Sequence, residues 1–467
     1  MSEDYIFWSL GELSRAIKQR QLSVTEIIQE HHTHIDEFNI KINAVVCRCV
    51  ERALREAKEA DYRIFRGTQR LLEGIPFTIK DSLDTEGLIS TAGTTGRTNF
   101  IPEDDATVVS RLRANGAILL GKTNTPELTM GGDTDNEIYG RTNNPYELDL
   151  SPGGSSGGSA AAVSAGFSSF DLGSDTGGSI REPAHYCGIV GHKPTAGRVP
   201  RTGHIIPPGM GAVDSLTQIG PLTRYTSDLF PLLTTIEGPD WIDPSLIPSP
   251  MGNPTDVDVK QLRIAAYANN GVVILEPEIE HCVEQVITTL QRERFDITRT
   301  RPKHLTDAAK AVSDLRSADG GAMTRRILEM AGTQHAGAHM SQAIKGNGSA
   351  LNPESYSKML QAVDTIKSQL LLFLKDYDAI VSPVSFSPAR KHGDSLTDTF
   401  ELWSYCTIHN LTGWPSTVVR VGTSTNGLPM GIQVTARPWR DDVAIALASK
   451  IEFLFGGYEK PVLVSSP

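Results

Sequence analysis

The chain has 467 residues, enough for a large core, and a prior of about 150 residues per domain would suggest two or three units. Its 44 basic residues face 55 acidic ones, a net charge of −11 that disfavours nucleic acid and acidic membranes as partners. Five scattered cysteines, no bilayer-length apolar run and an acidic start predict a cytoplasmic, unexported protein without a disulfide framework.

The first part, about residues 1–70, is predicted to be helical. Ser9-Leu-Gly-Glu12 and Ser23-Val-Thr-Glu26 each fit a capping box, in which a serine and a glutamate satisfy the free amides of a helix start. Three histidines follow on the second helix without a cysteine or carboxylate at a compatible helical offset, so a solvated helix face is favoured over a metal site.

A second part, about residues 71–225, alternates short apolar strands with turns rich in glycine, serine and threonine, a texture typical of α/β domains. Ile75-Pro-Phe-Thr-Ile79 alternates apolar residues on one face and places Lys80 at its end. Alone, such a lysine is most often a surface charge. A catalytic role for Lys80 therefore needs support from other residues.

Gly116 to Thr123 matches the phosphate-loop pattern of nucleotide-binding enzymes. In that loop the four central residues must expose their amides, whereas the apolar run from Ala117 to Leu120 predicts a strand that uses its amides in a sheet. Pro126 also blocks the helix that should begin at Lys122. We expect no ATP binding, and no metal or organic cofactor.

Gly153-Gly-Ser155-Ser-Gly157 satisfies G-x-S-x-G, which would make Ser155 an α/β-hydrolase nucleophile with His409 as a partner. The preceding Asp149-Leu-Ser-Pro152 is polar and contains proline, so the strand required by that motif is missing. His185 and His192 are interpreted as polar or core histidines rather than as bases.

Two serine-bearing glycine loops bracket one short helix of small residues. The first contains Ser155, and the second, Gly173-Ser-Asp-Thr-Gly-Gly-Ser179, runs from a strand into a tight turn that presents Ser179 and free amides. Such loops are often linkers. Their spacing about one helix, after the strand that ends at Lys80, is not linker-like.

These segments closely resemble the amidase signature family, hydrolases with a Ser–cis-Ser–Lys triad. The resemblance is dense from Gly74 to about Arg224 and covers nearly the whole chain. It rests on Leu120-Gly-Lys-Thr-Asn124, Gly153-Gly-Ser-Ser-Gly-Gly-Ser159, Asp175-Thr-Gly-Gly-Ser-Ile-Arg181, Gly191-His-Lys-Pro-Thr195, Gln218-Ile-Gly-Pro221, Tyr377-Asp-Ala-Ile-Val-Ser-Pro383, Asn410-Leu-Thr-Gly-Trp-Pro415 and Gly427-Leu-Pro-Met-Gly-Ile-Gln433.

The resemblance implies one α/β domain over residues 1–467, with a twisted mixed sheet covered by helices on both sides. It implies Ser179 as nucleophile, Ser155 as the cis-serine relay and Lys80 as base. A neutral, buried Lys80 would accept the proton that Ser179 loses through Ser155. The backbone amides expected to hold the oxyanion are those of Thr176, Gly177, Gly178 and Ser179.

The rest of the chain is less explicit. Residues 238–256 are proline-rich and predict an irregular connection, whereas 262–267, 379–382 and 416–421 predict strands. About residues 300–365 lie where family members vary and form the substrate entrance. Met130, Gly131, Gly132, Tyr139 and Trp414 are candidate substrate-binding residues, and Trp414 is equally a core candidate. Asp133, Glu137 and His192 depart from the family pattern, and solvated positions are favoured for the two acids.

Three functions remain open at this point. The first is a stand-alone amidase, monomeric or homodimeric, acting on small neutral linear or aryl amides, with esters and carbamates (urethanes) as related substrates. The second is the glutaminase subunit of a tRNA-dependent amidotransferase, although no arginine–aspartate pair for glutamine stands out in the C-terminal half. The third, a catalytically silent binding module, is disfavoured because Lys80, Ser155 and Ser179 are all present.

Overall fold

Eleven strands form one mixed sheet in the computed structural model, which describes residues 4–211, 214–346, 348–397 and 400–464. The strands are β1 (Val45–Arg48), β2 (Pro76–Lys80), β3 (Ile118–Thr123), β4 (Phe170–Asp175), β5 (Val190–Lys193), β6 (Gln218–Thr223), β7 (Arg263–Ala266), β8 (Asp296–Arg299), β9 (Ala379–Pro383), β10 (Ser416–Thr423) and β11 (Pro429–Ala436).

The strand order is β1-β3-β2-β4-β6-β5-β10-β11-β9-β7-β8. β2 pairs in parallel with both β3 and β4, and β7 pairs in parallel with β8 and β9. The six remaining pairings, including β4 with β6 and β10 with β11, are antiparallel. One continuous sheet therefore replaces the two or three units suggested by chain length.

Helices cover both faces of this sheet. They are α1 (Leu10–Lys18), α2 (Val24–Ile42), α3 (Val50–Arg66), α4 (Thr107–Ala114), α5 (Gly157–Ser164), α6 (Arg181–Tyr186), α7 (Leu229–Ile236), α8 (Pro277–Arg292), α9 (Leu305–Ser317), α10 (Ala322–Met330), α11 (Ala338–Gly346), α12 (Pro353–Phe373), α13 (Ser404–Thr412) and α14 (Asp441–Phe455).

The alternation of side chains along β7 and β9 shows how both faces are buried. Ile264 and Val381 pack with α8 and α14 in one apolar cluster, whereas Ala265 and Ile380 pack with α9, α12 and α13 in another. Successive residues of a strand point to opposite faces, so two helical layers are needed to bury this sheet.

The predicted elements agree with the structure in most places, but His31, His32 and His34 of α2 are buried and do not form the predicted solvated face. Ser9 and Ser23 cap α1 and α2 with the expected capping boxes. The predicted strands at 262–267, 379–382 and 416–421 correspond to β7, β9 and β10. Strands β1, β8 and β11 were not predicted. β1 lies inside the part predicted as helical, where it pairs with β3 at the edge of the sheet.

The Gly116–Thr123 segment forms β3 and no phosphate-binding loop, as predicted. Lys122 is fully buried, and its Nζ donates to the carbonyl of Leu83 and, at 2.9 Å, to Thr85 Oγ1. This lysine is therefore part of the core.

Arg224 joins the beginning of the chain to the core. It is buried, and its guanidinium donates to the carbonyls of Ile6 (2.8 Å), Val163 (2.9 Å) and Ser168 (2.7 Å). The N-terminal segment is thus tied to the end of α5 and to the residues just before β4.

Candidate active site

Lys80 lies at the carboxyl end of β2, between β3 and β4, and is fully buried. Its Nζ lies 2.6 Å from Ser155 Oγ, 2.9 Å from Ser156 Oγ and 3.1 Å from Ser174 Oγ. Burial lowers the pKa of Lys80 to about 7, although Asp175 and Asp171 oppose the shift. A large fraction of this amine is therefore neutral near pH 7, and a neutral amine accepts a proton.

Ser155 is positioned by a backbone that passes close to another loop. The Gly154–Ser155 peptide bond is cis. A Cβ on Gly154 would lie only 2.5 Å from the carbonyl oxygen of Gly131, so no larger residue fits there. The amide of Ser156 donates to the carbonyl of Ser179 at 3.2 Å, which joins the two serine loops.

Ser179 lies in the turn between β4 and α6 and lines a cavity. Gly178 precedes it with a φ of +124°, and a Cβ at Gly178 would lie 2.8 Å from Cys406 Cβ. Within the described residues, no hydrogen bond joins the hydroxyls of Ser155 and Ser179. The structure brings Lys80 and Ser155 into direct contact, and places Ser179 on the neighbouring loop.

Asp175 organises the Ser179 turn, a role that the sequence analysis missed. Its carboxylate accepts the amides of Gly178 at 2.8 Å and Ile180 at 3.1 Å. It also pairs with Arg181 at 2.9 Å and accepts Asn410 Nδ2 at 2.8 Å. Burial alone would raise the pKa of Asp175, but its partners hold that pKa well below the usual range. This carboxylate is therefore permanently charged.

This geometry corrects the predicted set of oxyanion amides. The Gly178 amide is used by Asp175, so it does not point at the cavity as a free donor. The amides of Gly177 and Ser179 have no acceptor among the described residues, and both residues line the cavity. Thr176 lines it as well. The sequence signal for Asp175 was its place in the Asp175–Arg181 motif.

A cavity of about 240 Å³ opens beside Ser179. Met130, Gly131 and Gly132 line one side, next to Gly154. Residues of α9, α10 and α11, from the predicted entrance region, complete the lining, and Met130 packs against the apolar cluster of α10 and α11. The lining residues from that region are Arg316, Met323, Thr324, His339, Met340, Ala343 and Ile344.

Trp414 does not line this cavity in the part of the chain that the structure describes. It is 2 % exposed and packs in the core with Tyr405, Ile408 and Leu411, so its assignment to substrate binding was wrong. Trp403 lines the cavity instead, and its Nε1 donates to Glu182 Oε2 at 3.2 Å. Tyr139 also lies outside the lining.

The residues that depart from the family pattern have structural partners in two of three cases. Asp133 is not solvated as predicted, because its Oδ2 accepts the Gly393 amide at 2.6 Å. Glu137 is exposed. His192 is buried and lies 3.2 Å from Asp441, and burial lowers its pKa.

His185 is a core histidine, as predicted. Its ring nitrogens lie 3.2 Å from the carbonyl oxygen of Gly431 and 3.1 Å from that of Ser387. Burial lowers the pKa of His185 to about 4, so the ring is neutral at pH 7.

Comparison with known proteins shows the family to which the chain belongs. The family model described as Amidase matches residues 26–444. The chain belongs to the amidase signature family. Within the described residues of this family member, no helix is long and apolar enough to cross a membrane, and no cluster of three metal-ligating side chains is found.

Several relatives match along almost the full chain. A glutamyl-tRNA(Gln) amidotransferase subunit of Geotalea daltonii is 32 % identical, covering 95 % of this chain and 96 % of its own. The solved 6-aminohexanoate cyclic dimer hydrolase has a TM-score of 0.88 and 25 % identity, covering 98 % of this chain and 99 % of its own. The corresponding amidotransferase subunit of Thermotoga maritima has a TM-score of 0.79 and 27 % identity, covering 99 % of each chain.

Proposed function

We propose that this amidase-family hydrolase cleaves the C–N bond of an amide through an acyl-enzyme on Ser179, with Ser155 as relay and Lys80 as base. The observation that carries the proposal is the fully buried Lys80, in contact with Ser155 and one loop from a serine that faces a cavity. A buried lysine with a lowered pKa next to a hydroxyl is the arrangement that activates a serine nucleophile.

The reaction would begin when Ser179 Oγ attacks the amide carbonyl carbon. Its proton passes to Ser155, whose own proton passes to Lys80 Nζ, and the carbonyl electrons move onto the oxygen. The amides of Gly177 and Ser179 would hold that oxyanion, each worth about 2.7–4 kcal/mol in the transition state. The proton then returns through Ser155 to the leaving amine, and water releases the acyl group by the reverse relay.

Serine substitutions test these roles. Ser179→Ala should abolish acylation because the nucleophile is lost, whereas Ser155→Ala should retain weak activity. Ser169→Ala is the matched control, since Ser169 is a buried serine just before β4 whose hydroxyl has no hydrogen-bond partner among the described residues. The measurement is labelling by a mechanism-based phosphonate, located by mass spectrometry. Labelling of Ser155 instead of Ser179 would show that the assignment is wrong.

The lining of the cavity favours, as the first candidate, a neutral substrate that carries an apolar group. Met130, Ile206, Met323, Ile344 and Trp403 supply apolar walls around the polar Ser179 end. Such walls suit an aliphatic or aryl group next to the scissile bond. Aryl carbamates and esters pass through the same tetrahedral oxyanion and would be related substrates.

The second candidate is a glutamine-hydrolysing subunit of an amidotransferase, and the curated relatives support it better than the first. Three of those relatives are named as subunits of glutamyl-tRNA(Gln) amidotransferase and are 32–34 % identical along almost the whole chain. Glu182 and Arg316 also bring an acidic and a basic side chain to the cavity lining. Glutamine needs charges of both signs to replace the water around its ammonium and carboxylate groups.

The two candidates differ in what the isolated chain should do. We expect kcat/KM for an acyl anilide to exceed that for glutamine, because apolar side chains such as Met130, Ile344 and Trp403 contribute to the cavity lining. The experiment compares both substrates with the purified chain. Preference for glutamine, or activity only with added amidotransferase subunits, would establish the second candidate.

A further inference from the structure

Asp171 is a fully buried carboxylate on β4 that has no part in the mechanism above. β4 and β2 are parallel neighbours, with Asp171 opposite Thr78, while Lys80 stands opposite Thr123 on β3. Thr78 and Lys80 are two residues apart on one strand and so face the same side of the sheet. Asp171 and Lys80 therefore share one side of the sheet.

That side of the sheet is a polar layer beneath α5. Asp171 Oδ2 accepts a hydrogen bond from Thr123 Oγ1 at 3.0 Å, and the same hydroxyl lies 3.0 Å from Ser159 Oγ on α5. Asp171 Oδ1, in contrast, has no hydrogen-bond partner among the described residues. An unsatisfied buried oxygen is costly, so its presence calls for a compensating role.

The charges around Lys80 indicate what that role is. Burial raises the pKa of Asp171 to about 6, while neighbouring hydroxyls and attraction to Lys80 oppose the rise, so the group is charged at neutral pH. Asp175, the other carboxylate that acts on Lys80, is paired with Arg181 at 2.9 Å. Burial and the Lys80 charge lower the pKa of His204 to about 3, which leaves it neutral. Among the described residues, no arginine or lysine forms an ion pair with Asp171.

We propose that Asp171 is a positioning residue that acts through Lys80, stabilising the ammonium that forms when Lys80 receives the proton of Ser179. The inference rests on the proposed function. During the step, the O–H bond of Ser179 breaks, its electron pair forms the bond to the carbonyl carbon, and the proton reaches Lys80 Nζ through Ser155. Asp171 neither gains nor loses a proton. It shares one side of the sheet with Lys80, where the positive charge forms.

Asp171→Asn tests the proposal because it removes the charge and keeps the shape. Without the carboxylate, Lys80 of the free enzyme loses its proton more easily, so the acid limb of kcat/KM against pH should move to lower pH by about half a unit or more. The plateau kcat should fall about tenfold or more, since the ammonium in the transition state is less stabilised. A merely structural defect would lower kcat without moving the limb.

Asp228→Asn is the matched control, because Asp228 is also buried with a raised pKa, but it accepts the Leu10 amide far from Lys80. The limb should stay in place in that variant. If Asp171→Asn does not fold, Asp171→Ser provides the same test with a small hydroxyl among the neighbouring hydroxyls. An unmoved limb in a folded Asp171 variant, with Ser179→Ala inactive, overturns this inference alone. An active Ser179→Ala enzyme overturns the proposed function instead.

Discussion

At the scale of single residues, Lys80 shows how burial creates reactivity. A lysine in water is protonated at neutral pH and cannot act as a base, because its pKa is near 10.4. Burial at the end of β2 removes that solvation and lowers the pKa of Lys80 to about 7, while three serine hydroxyls still contact its Nζ. The same surroundings therefore deprotonate the amine and orient it.

The pH dependence of kcat/KM tests this account. In the proposed mechanism Lys80 must be neutral in the free enzyme, and it loses its proton as the pH rises through its pKa of about 7. We expect activity to be low in acid, to rise around pH 7 and to level off above it. Lys80→Arg should be inactive at every usable pH, because arginine stays charged. Substantial turnover by Lys80→Arg would exclude the base role.

At the scale of elements, two kinds of structure form the cavity. The Ser179 turn is fixed by Asp175, Arg181 and Asn410, all of which are buried. A second wall comes from α9, α10 and α11, and the last two pack in a separate apolar cluster with Ile206. Under the proposed function, we therefore expect different parts of the chain to carry the chemistry and the substrate fit.

Truncating this wall should affect bulky substrates selectively. Ile344 lines the cavity on α11, so Ile344→Ala should lower kcat/KM for a bulky acyl anilide by about 10–100-fold, the range for lost apolar pocket contacts. Acetanilide should be affected little. Ile274→Ala, at a side chain that is 90 % exposed, serves as control. Equal losses for both anilides would contradict a role in substrate fit.

At the scale of the whole molecule, the sheet is held together across long sequence distances. Arg224 contributes by donating to the carbonyls of Ile6, near the start of the described chain, and of Ser168, just before β4. It does so without a carboxylate partner among its hydrogen bonds to the described residues, and burial lowers its pKa. Arg224 thus links the N-terminal segment to the residues before β4 by donating to backbone carbonyls of both.

Arg224→Met should lower the free energy of unfolding by more than about 3 kcal/mol, because several buried carbonyls would lose their donor together. Urea unfolding followed by circular dichroism measures the change. Arg292→Met on α8 is the control, since Arg292 is exposed. The N-terminal residues should also become sensitive to proteolysis in the Arg224 variant. An unchanged unfolding midpoint would show that these carbonyls find other donors.

Local patterns predicted much of this fold. The capping boxes of α1 and α2 and the apolar run of β3 depend on neighbouring residues, and they were readable in the sequence. Trp414 was misassigned because core and cavity tryptophans have the same local surroundings in a sequence. Asp175 and Asp171 were missed because their roles depend on partners brought close by the sheet, such as Asn410, which is 235 residues from Asp175.

The close backbone contacts around Ser155 and Ser179 also restrict how this enzyme can evolve. Gly154 and Gly178 each face atoms that leave no room for a methyl group, so random substitution there would remove activity before it changed selectivity. Among the side chains of α10 and α11 that line the cavity, Met323 and Ile344 are only partly buried and leave more room for substitution. New substrate ranges should therefore arise through substitutions in those helices. A mutant library designed to change the substrate range should randomise the cavity-lining positions of α10 and α11 and keep the two glycines.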